Sequence, residues 1–140
     1  MTMNIWKTLR STCNAFVTGH TLLWFVLNDG KLSRAVDAII SDPTNEVFVS
    51  PATFWELAIK VRTKKLDLLS PYDDFIRNGI VGNDFIVLPI EAKHTSLLTD
   101  MPFHHKDPFD RILIAQALVE GISIISIDSI FDQYGVTRIW

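Results

Sequence analysis

The sequence predicts an α/β domain in which helices cover both faces of a largely parallel sheet. Short apolar runs recur along the chain, helix-start and helix-stop signals separate them, and 48% of the 140 residues are hydrophobic. Short, nearly continuous apolar strands that alternate with helices are typical of parallel sheets that are buried on both sides. A chain of this length fits one domain with one core, so residues 1–140 are predicted to form a single domain.

Five segments are predicted to be strands because they are short, apolar and bounded by turn residues. The first four are bracketed by predicted helices, and the last is a possible edge strand near the carboxyl terminus. The predicted strands are residues 15–18, 47–49, 85–88, 122–127 and 136–139.

The predicted helices are marked by capping residues and by apolar residues at helical spacing. Ser50 followed by Pro51 is a strong start signal, and so is Asp107 followed by Pro108. Gly121 ends the clearest helix, at a position that often requires a left-handed backbone. The predicted helices are residues 21–27, 51–60, 71–78, 91–98 and 109–120, with one more between Ser33 and Asp42.

The composition limits the classes of partner. With a net charge of −3, the chain does not attract nucleic acid by bulk electrostatics, so a polyanion requires a local basic patch. Cys13 is the single cysteine and cannot form an intramolecular disulfide, which fits the cytoplasm. The apolar run 22–27 lacks a cleavage site and is too short to span a bilayer, so we expect no signal peptide and no membrane anchor.

Three acidic residues fall at separate strand-to-helix junctions. Glu56 lies on the helix after strand 47–49, Asp110 lies in the first turn of a helix, and Asp128 directly follows strand 122–127. Ligands of parallel sheets bind beyond the carboxyl ends of the strands, so we expect the three to converge. Clustered carboxylates repel unless a cation neutralises them, and oxygen ligands favour Mg²⁺ or Mn²⁺ over zinc. Such ions activate water for attack on a phosphodiester.

Each acid also has a structural interpretation. Glu56 is spaced for an ion pair with Lys60 one helical turn later. Asp107 is expected chiefly to cap its helix, and Asp110 is spaced to reach back to it in a capping box. The alternative for Asp128 is a turn residue or the cap of a short helix over residues 129–133.

Basic and imidazole side chains flank the predicted acidic site. They are candidates for holding the phosphates of a nucleic acid backbone, with a solvated loop and helix end as the alternative. His20, near the end of the first strand, is expected to be a hydrogen-bonded structural residue. The phosphate-binding candidates are His104, His105, Lys106 and Arg111, together with Arg62, Lys64 and Lys65.

Three segments resemble PIN-domain ribonucleases of the VapC-like toxin type. They are GHTLLW at 19–24, WELAIK at 55–60 and, most specifically, HKDPFDRILIAQA at 105–117. The resemblance runs from about Phe16 to Trp140, so residues 1–14 form an N-terminal extension. It implies a Rossmann-like three-layer α/β/α domain, RNA cleavage that depends on Mg²⁺ or Mn²⁺, homodimerisation and, for toxin members, an inhibiting antitoxin protein.

The resemblance assigns Glu56, Asp110 and Asp128 to catalysis and metal binding, with Asp107 as a secondary ligand. The family's remaining aspartate, at the end of the first strand, is replaced here by Thr18 or Gly19. Thr18 is a further candidate for binding substrate or metal, through its hydroxyl or a water, but it has no negative charge. Loss of a charged ligand weakens metal binding and misplaces the attacking water. Two main functions follow: a ribonuclease with reduced activity, or an inactive PIN domain that acts as a protein-binding module. A phosphatase or a DNA nuclease is a weaker third.

Overall fold

The computed structural model describes residues 13–140. Most of the predicted extension 1–14 therefore lies outside the described residues. Cys13 and Asn14 are the exceptions: the Cys13 amide donates to Asn45 Oδ1 at 3.0 Å, and Asn14 is the first residue of the first strand and is paired with Glu46.

Five parallel strands form one sheet in the order β3-β2-β1-β4-β5. Phe16 on the central strand is in register with Phe48 on one side and with Ile124 on the other. The predicted parallel sheet is thereby confirmed. The strands are β1 (Asn14–Val17), β2 (Glu46–Val49), β3 (Ile86–Val87), β4 (Ser123–Ile125) and β5 (Arg138–Ile139).

Helices connect the strands and begin where the capping residues predict. Ser33 Oγ accepts a hydrogen bond from the Val36 amide at 3.2 Å, and Ser50 Oγ accepts one from the Ala52 amide at 3.1 Å. None of the helices within residues 13–140 is long and apolar enough to cross a membrane. The helices are α1 (Gly19–Val26), α2 (Arg34–Ser41), α3 (Pro51–Arg62), α4 (Tyr72–Ile76), α5 (Ala92–Leu98) and α6 (Pro108–Glu120), with a 3₁₀ helix at Ser129–Tyr134.

Alternate residues of the central strand enter two separate hydrophobic clusters. Ala15 and Val17 pack in one cluster with Leu22 of α1, whereas Phe16 packs in the other with Ile114 of α6. Because successive strand side chains point to opposite faces, both faces of the sheet are buried under helices. This arrangement is the predicted three-layer α/β/α architecture.

Several element boundaries differ from the predicted ranges, chiefly because the strands are shorter, and two of the differences have identifiable reasons. Thr18 was predicted to end the first strand, but it is the N-cap of α1 and leaves the sheet. The predicted helix 71–78 continues as a π-helical segment, Arg77–Val81. Gly79 lets this segment pack closely on α1, because a Cβ at that position would lie 3.1 Å from a methyl group of Val26.

The left-handed backbone of Gly121 at the end of α6 can be tested by substitution. Gly121 has φ of +67°, so Gly121→Ala should lower the free energy of unfolding by roughly 1 kcal/mol, since a Cβ is strained there. Gly30→Ala is the matched control, because nothing lies within 4 Å of its added Cβ and its φ is not positive. Urea unfolding measures both, and equal effects of the two changes would contradict the argument.

Candidate metal centre

A cleft of about 300 Å³ opens at the carboxyl edge of the sheet, where β1 and β4 end. Its walls come from separate elements: the start of α1, the middle of α3, the start of α6 and the turn after β4. The structure therefore brings the predicted acids to one place. Its lining includes Thr18, Gly19, Glu56, His105, Asp107, Asp110 and Asp128.

Thr18 occupies the position directly after β1 and turns its hydroxyl towards the sheet. Its Oγ1 donates to the Ile125 carbonyl at 3.3 Å and lies 3.1 Å from Thr21 Oγ1. Thr21 Oγ1 donates to the same carbonyl at 3.0 Å. Thr18 is also buried, so its hydroxyl is used by the sheet and the residue contributes no negative charge to the cleft.

Glu56 projects from α3 against the first turn of α1. A Cβ at Gly19 would lie 2.7 Å from Glu56 Oε1, so glycine permits this close approach. Burial raises the pKa of Glu56, and the charges of Asp110 and Asp107 raise it further while Lys60 opposes them. In the described part of the chain Glu56 makes no ion pair with Lys60, so the surface-pair interpretation is wrong.

Asp110 is the most perturbed acid of the cleft. Burial first, and then the charge of Asp107, raise its pKa to about 6 against the opposing effect of His105. His105 Nε2 lies 2.8 Å from Asp110 Oδ2 and 3.9 Å from Asp128 Oδ2. Nε2 is not aligned for a hydrogen bond, so the contact with Asp110 is chiefly electrostatic. A carboxylate that is costly to ionise next to other carboxylates is one that a cation would stabilise.

Two of the acids cap helices, as predicted. Asp107 Oδ1 accepts from the amides of Phe109 and Asp110 at 2.8 and 3.3 Å. Asp128 Oδ1 accepts from the Ile130 amide at 3.1 Å at the start of the 3₁₀ helix. In both, the second carboxylate oxygen takes no part in the cap.

The predicted capping box of Asp110 is wrong. The Asp107 amide, which Asp110 was expected to reach, donates instead to His105 Nδ1 at 3.3 Å. Because Nδ1 accepts a hydrogen bond there, a neutral His105 ring carries its proton on Nε2, the nitrogen that faces Asp110.

A comparison with protein-family models identifies the family of the chain. The model described as PIN domain matches residues 16–136 of the 140. The chain belongs to the PIN domain family. The resemblance seen in the sequence is thereby confirmed, and PIN domains are generally nucleases. A comparison with curated proteins gives no match.

Solved structures share the fold of this PIN domain at low sequence identity. VapBC2 from Rickettsia felis, bound to a DNA fragment from its promoter, matches with a TM-score of 0.69 and 10% identity over 90% of this chain and 97% of that one. FitAB bound to an IR36 DNA fragment matches with a TM-score of 0.65 and 13% identity over 89% of this chain and 93% of that one. FitAcB from Neisseria gonorrhoeae matches with a TM-score of 0.65 and 15% identity over 90% of this chain and 96% of that one. Identities this low show the common fold alone.

Arg111 does not face the cleft of this PIN domain, contrary to its predicted role in phosphate binding. Its guanidinium is buried and donates to the carbonyls of Pro102 at 2.8 Å and Met101 at 3.2 Å. Tyr134, which the sequence analysis did not single out, binds the same loop: its hydroxyl accepts from the His105 amide at 2.6 Å and donates to Pro102 O at 2.9 Å. Both side chains therefore position His105.

A second acid–histidine cluster lies between α5 and α6, away from the cleft. Glu91, His94 and Glu120 are the group of possible metal ligands in residues 13–140 whose ligand atoms all lie within 4.8 Å. However, His94 Nδ1 accepts from the Glu91 amide, and Nε2 lies 2.8 Å from Glu120 Oε1. Lys93 Nζ lies 3.0 Å from that same oxygen. Both acids of this cluster therefore already have partners in Lys93 and His94, whereas within residues 13–140 no lysine or arginine forms an ion pair with the more widely spaced acids of the cleft.

The raised pKa of Asp110 predicts a pH-dependent effect of Asp110→Asn in buffer containing EDTA. The folded pKa of about 6 exceeds the ordinary 3.8, so this group's stabilising contribution is complete below pH 4 and is lost as the pH rises through 6. The variant should therefore gain about 1–3 kcal/mol over the wild type between pH 4 and pH 7.5. Urea unfolding at both pH values measures the gain, and a constant difference would contradict the assignment.

Proposed function

We propose that this PIN domain is a divalent-metal-dependent ribonuclease of the VapC-like toxin type, which hydrolyses RNA phosphodiester bonds. The observation that carries the proposal is the convergence of Glu56, Asp110 and Asp128 on one cleft. The family supports nuclease chemistry in general, and the oxygen-only carboxylate set supports Mg²⁺ or Mn²⁺.

The side chains of the cleft fit such an ion by their chemistry. Glu56, Asp110 and the uncapped oxygen of Asp128 would hold it, with Asp107 as a weaker ligand because one of its oxygens already accepts two amide hydrogen bonds. When bound, Mg²⁺ or Mn²⁺ supplies an activated water and stabilises charge on the phosphate oxygens. The raised pKa values of Glu56 and Asp110 are consistent with this fit, because a cation lowers the cost of ionising both.

The remaining residues of the cleft position these acids and the substrate. The cap formed by Asp107 fixes the first turn of α6, which carries Asp110, and the His105 ring lies against the Asp110 carboxylate. Lys60 lies at the edge of the cleft and provides positive charge for a phosphate of the RNA backbone. Thr18 contributes its hydroxyl to the sheet, so the site operates with one carboxylate fewer than the resemblance leads us to expect.

We also propose an antitoxin-like protein partner and a homodimer. Both are implied by the VapC-like resemblance, and the likeness to VapBC2 and FitAB supports the partner. A second candidate function is an inactive PIN domain that binds a protein partner without cleaving RNA. The buried, hydrogen-bonded Thr18 favours this second candidate, because it leaves no carboxylate at the end of the central strand.

The nuclease proposal predicts a specific loss of activity. Purified protein should cleave single-stranded RNA with Mg²⁺ or Mn²⁺, and Glu56→Gln and Asp110→Asn should each lower the rate by about 10²-fold or more, because both remove a charged ligand. Asp37→Asn, at an exposed position on α2, is the matched control and should cleave normally. If the wild type and both site variants cleave alike, the activity comes from elsewhere and the proposal fails.

The position of Thr18 predicts a gain of function. Thr18→Asp restores a carboxylate after β1 and should raise metal-dependent cleavage by about tenfold, whereas Thr18→Asn, of similar size and without charge, should not. Cleavage rates at several Mn²⁺ concentrations measure this, because the gain should be largest at low Mn²⁺. Equal behaviour of the two variants would show that the missing carboxylate does not limit the site, and a wild type without turnover would favour the protein-binding candidate.

A further inference from the structure

A second, open groove of about 480 Å³ adjoins the acidic cleft. The two cavities share Glu56, Lys60 and Asp107, so a flexible chain that leaves the cleft enters the groove directly. We call it the basic groove; its walls are formed chiefly by Ile59, Lys60, Lys65, Lys106, Pro108 and Phe109.

The three lysines of the basic groove come from different parts of the chain. Lys60 lies on α3, Lys65 follows that helix, and Lys106 precedes α6. Within residues 13–140 none of them forms an ion pair, whereas Lys93 pairs with Glu91 and Glu120. Three unpaired cations at one groove, on a chain with a net charge of −3, form a local patch complementary to a polyanion.

Aromatic surface lies beside these lysines. Trp55 is 66% exposed, and its ring lies perpendicular to that of Phe109 with centroids 5.3 Å apart. Ile59, one helical turn after Trp55, is 39% exposed and continues the apolar surface into the groove. An exposed tryptophan supported by the partly buried ring of Phe109, beside unpaired lysines, suits a ligand that has both flat apolar rings and phosphates.

We propose that the basic groove binds a single-stranded segment of RNA adjacent to the scissile phosphate. One base stacks on the aromatic surface of Trp55 and Phe109, while Lys65 and Lys106 contact backbone phosphates. A duplex is disfavoured because its bases are already stacked and paired. This inference rests on the proposed ribonuclease function for the identity of the polymer.

A protein partner is the other occupant that an exposed tryptophan suggests. An apolar protein face would cover Trp55 and Ile59, but it would bury the three lysine charges without partners, at a cost in desolvation. A single polynucleotide strand satisfies both features at once. The charge of the groove therefore favours RNA.

The test is RNA binding by the full chain carrying Asp110→Asn, in EDTA, so that cleavage does not interfere. The probe is a fluorescein-labelled, unstructured 12-nucleotide RNA, followed by anisotropy. Trp55→Ala should raise Kd by about 5-fold or more, because base stacking on an aromatic ring is lost. Lys65→Ala and Lys106→Ala should each lower the slope of log Kd against log salt by about 0.7. An RNA hairpin of the same composition should bind more weakly.

Matched controls come from equivalent residues outside the groove. Phe103→Ala removes an aromatic side chain that is 76% exposed, and Lys93→Ala removes an exposed lysine near the far end of α6. Both should bind RNA like the parent. If the groove variants and the controls behave alike, or if Trp55→Ala changes only the oligomeric state in sedimentation, the inference is overturned.

The same variants separate this inference from the nuclease proposal. If the groove variants bind RNA like the parent while the wild type cleaves RNA, RNA binding by the basic groove is refuted and the nuclease proposal stands. Groove-dependent binding by a protein that never cleaves RNA would refute the nuclease and leave the groove intact.

Discussion

The carboxylates of Glu56, Asp107 and Asp110 lie together at the carboxyl edge of the sheet, where partial burial makes the charges of Glu56 and Asp110 costly. Neighbouring groups stabilise two of these carboxylates: helix amides donate to Asp107, and the His105 ring lies against Asp110. Those contacts compensate only part of the charge, because the pKa of Asp110 still rises to about 6. A site with uncompensated oxygen charge is suited to a divalent cation.

The fold creates this crowding through strand order and helix capping together. β1 lies between β2 and β4, so residues that follow different strands end around the same cleft. Asp107 and Asp128 each use one oxygen as a cap, which fixes the side chain at a helix start and leaves the other oxygen unused by the cap. Thr18 is the exception at this edge, because its hydroxyl donates to the Ile125 carbonyl at the end of β4. At this position the side chain therefore makes a hydrogen bond to the sheet and adds no carboxylate to the cleft.

Features determined by local chemistry were predictable from the sequence, and features determined by tertiary packing were not. Ser50 and Asp107 cap the helices expected of them, since an N-cap depends on the next three residues alone. The family segments, not spacing alone, carried the assignment of the acids. Arg111 was misassigned because its carbonyl partners belong to a loop whose path no local pattern specifies. The network of His94 and Glu120 was missed for the same reason, since 26 residues separate its members.

We propose that the cleft acids, and not the cluster of Glu91, His94 and Glu120 between α5 and α6, hold the cation. Crystals soaked in Mn²⁺ and measured by anomalous scattering test it most directly. We expect one strong peak within about 2.5 Å of carboxylate oxygens of Glu56, Asp110 and Asp128. A peak at Glu91, His94 and Glu120 instead, or none at saturating Mn²⁺, would contradict it.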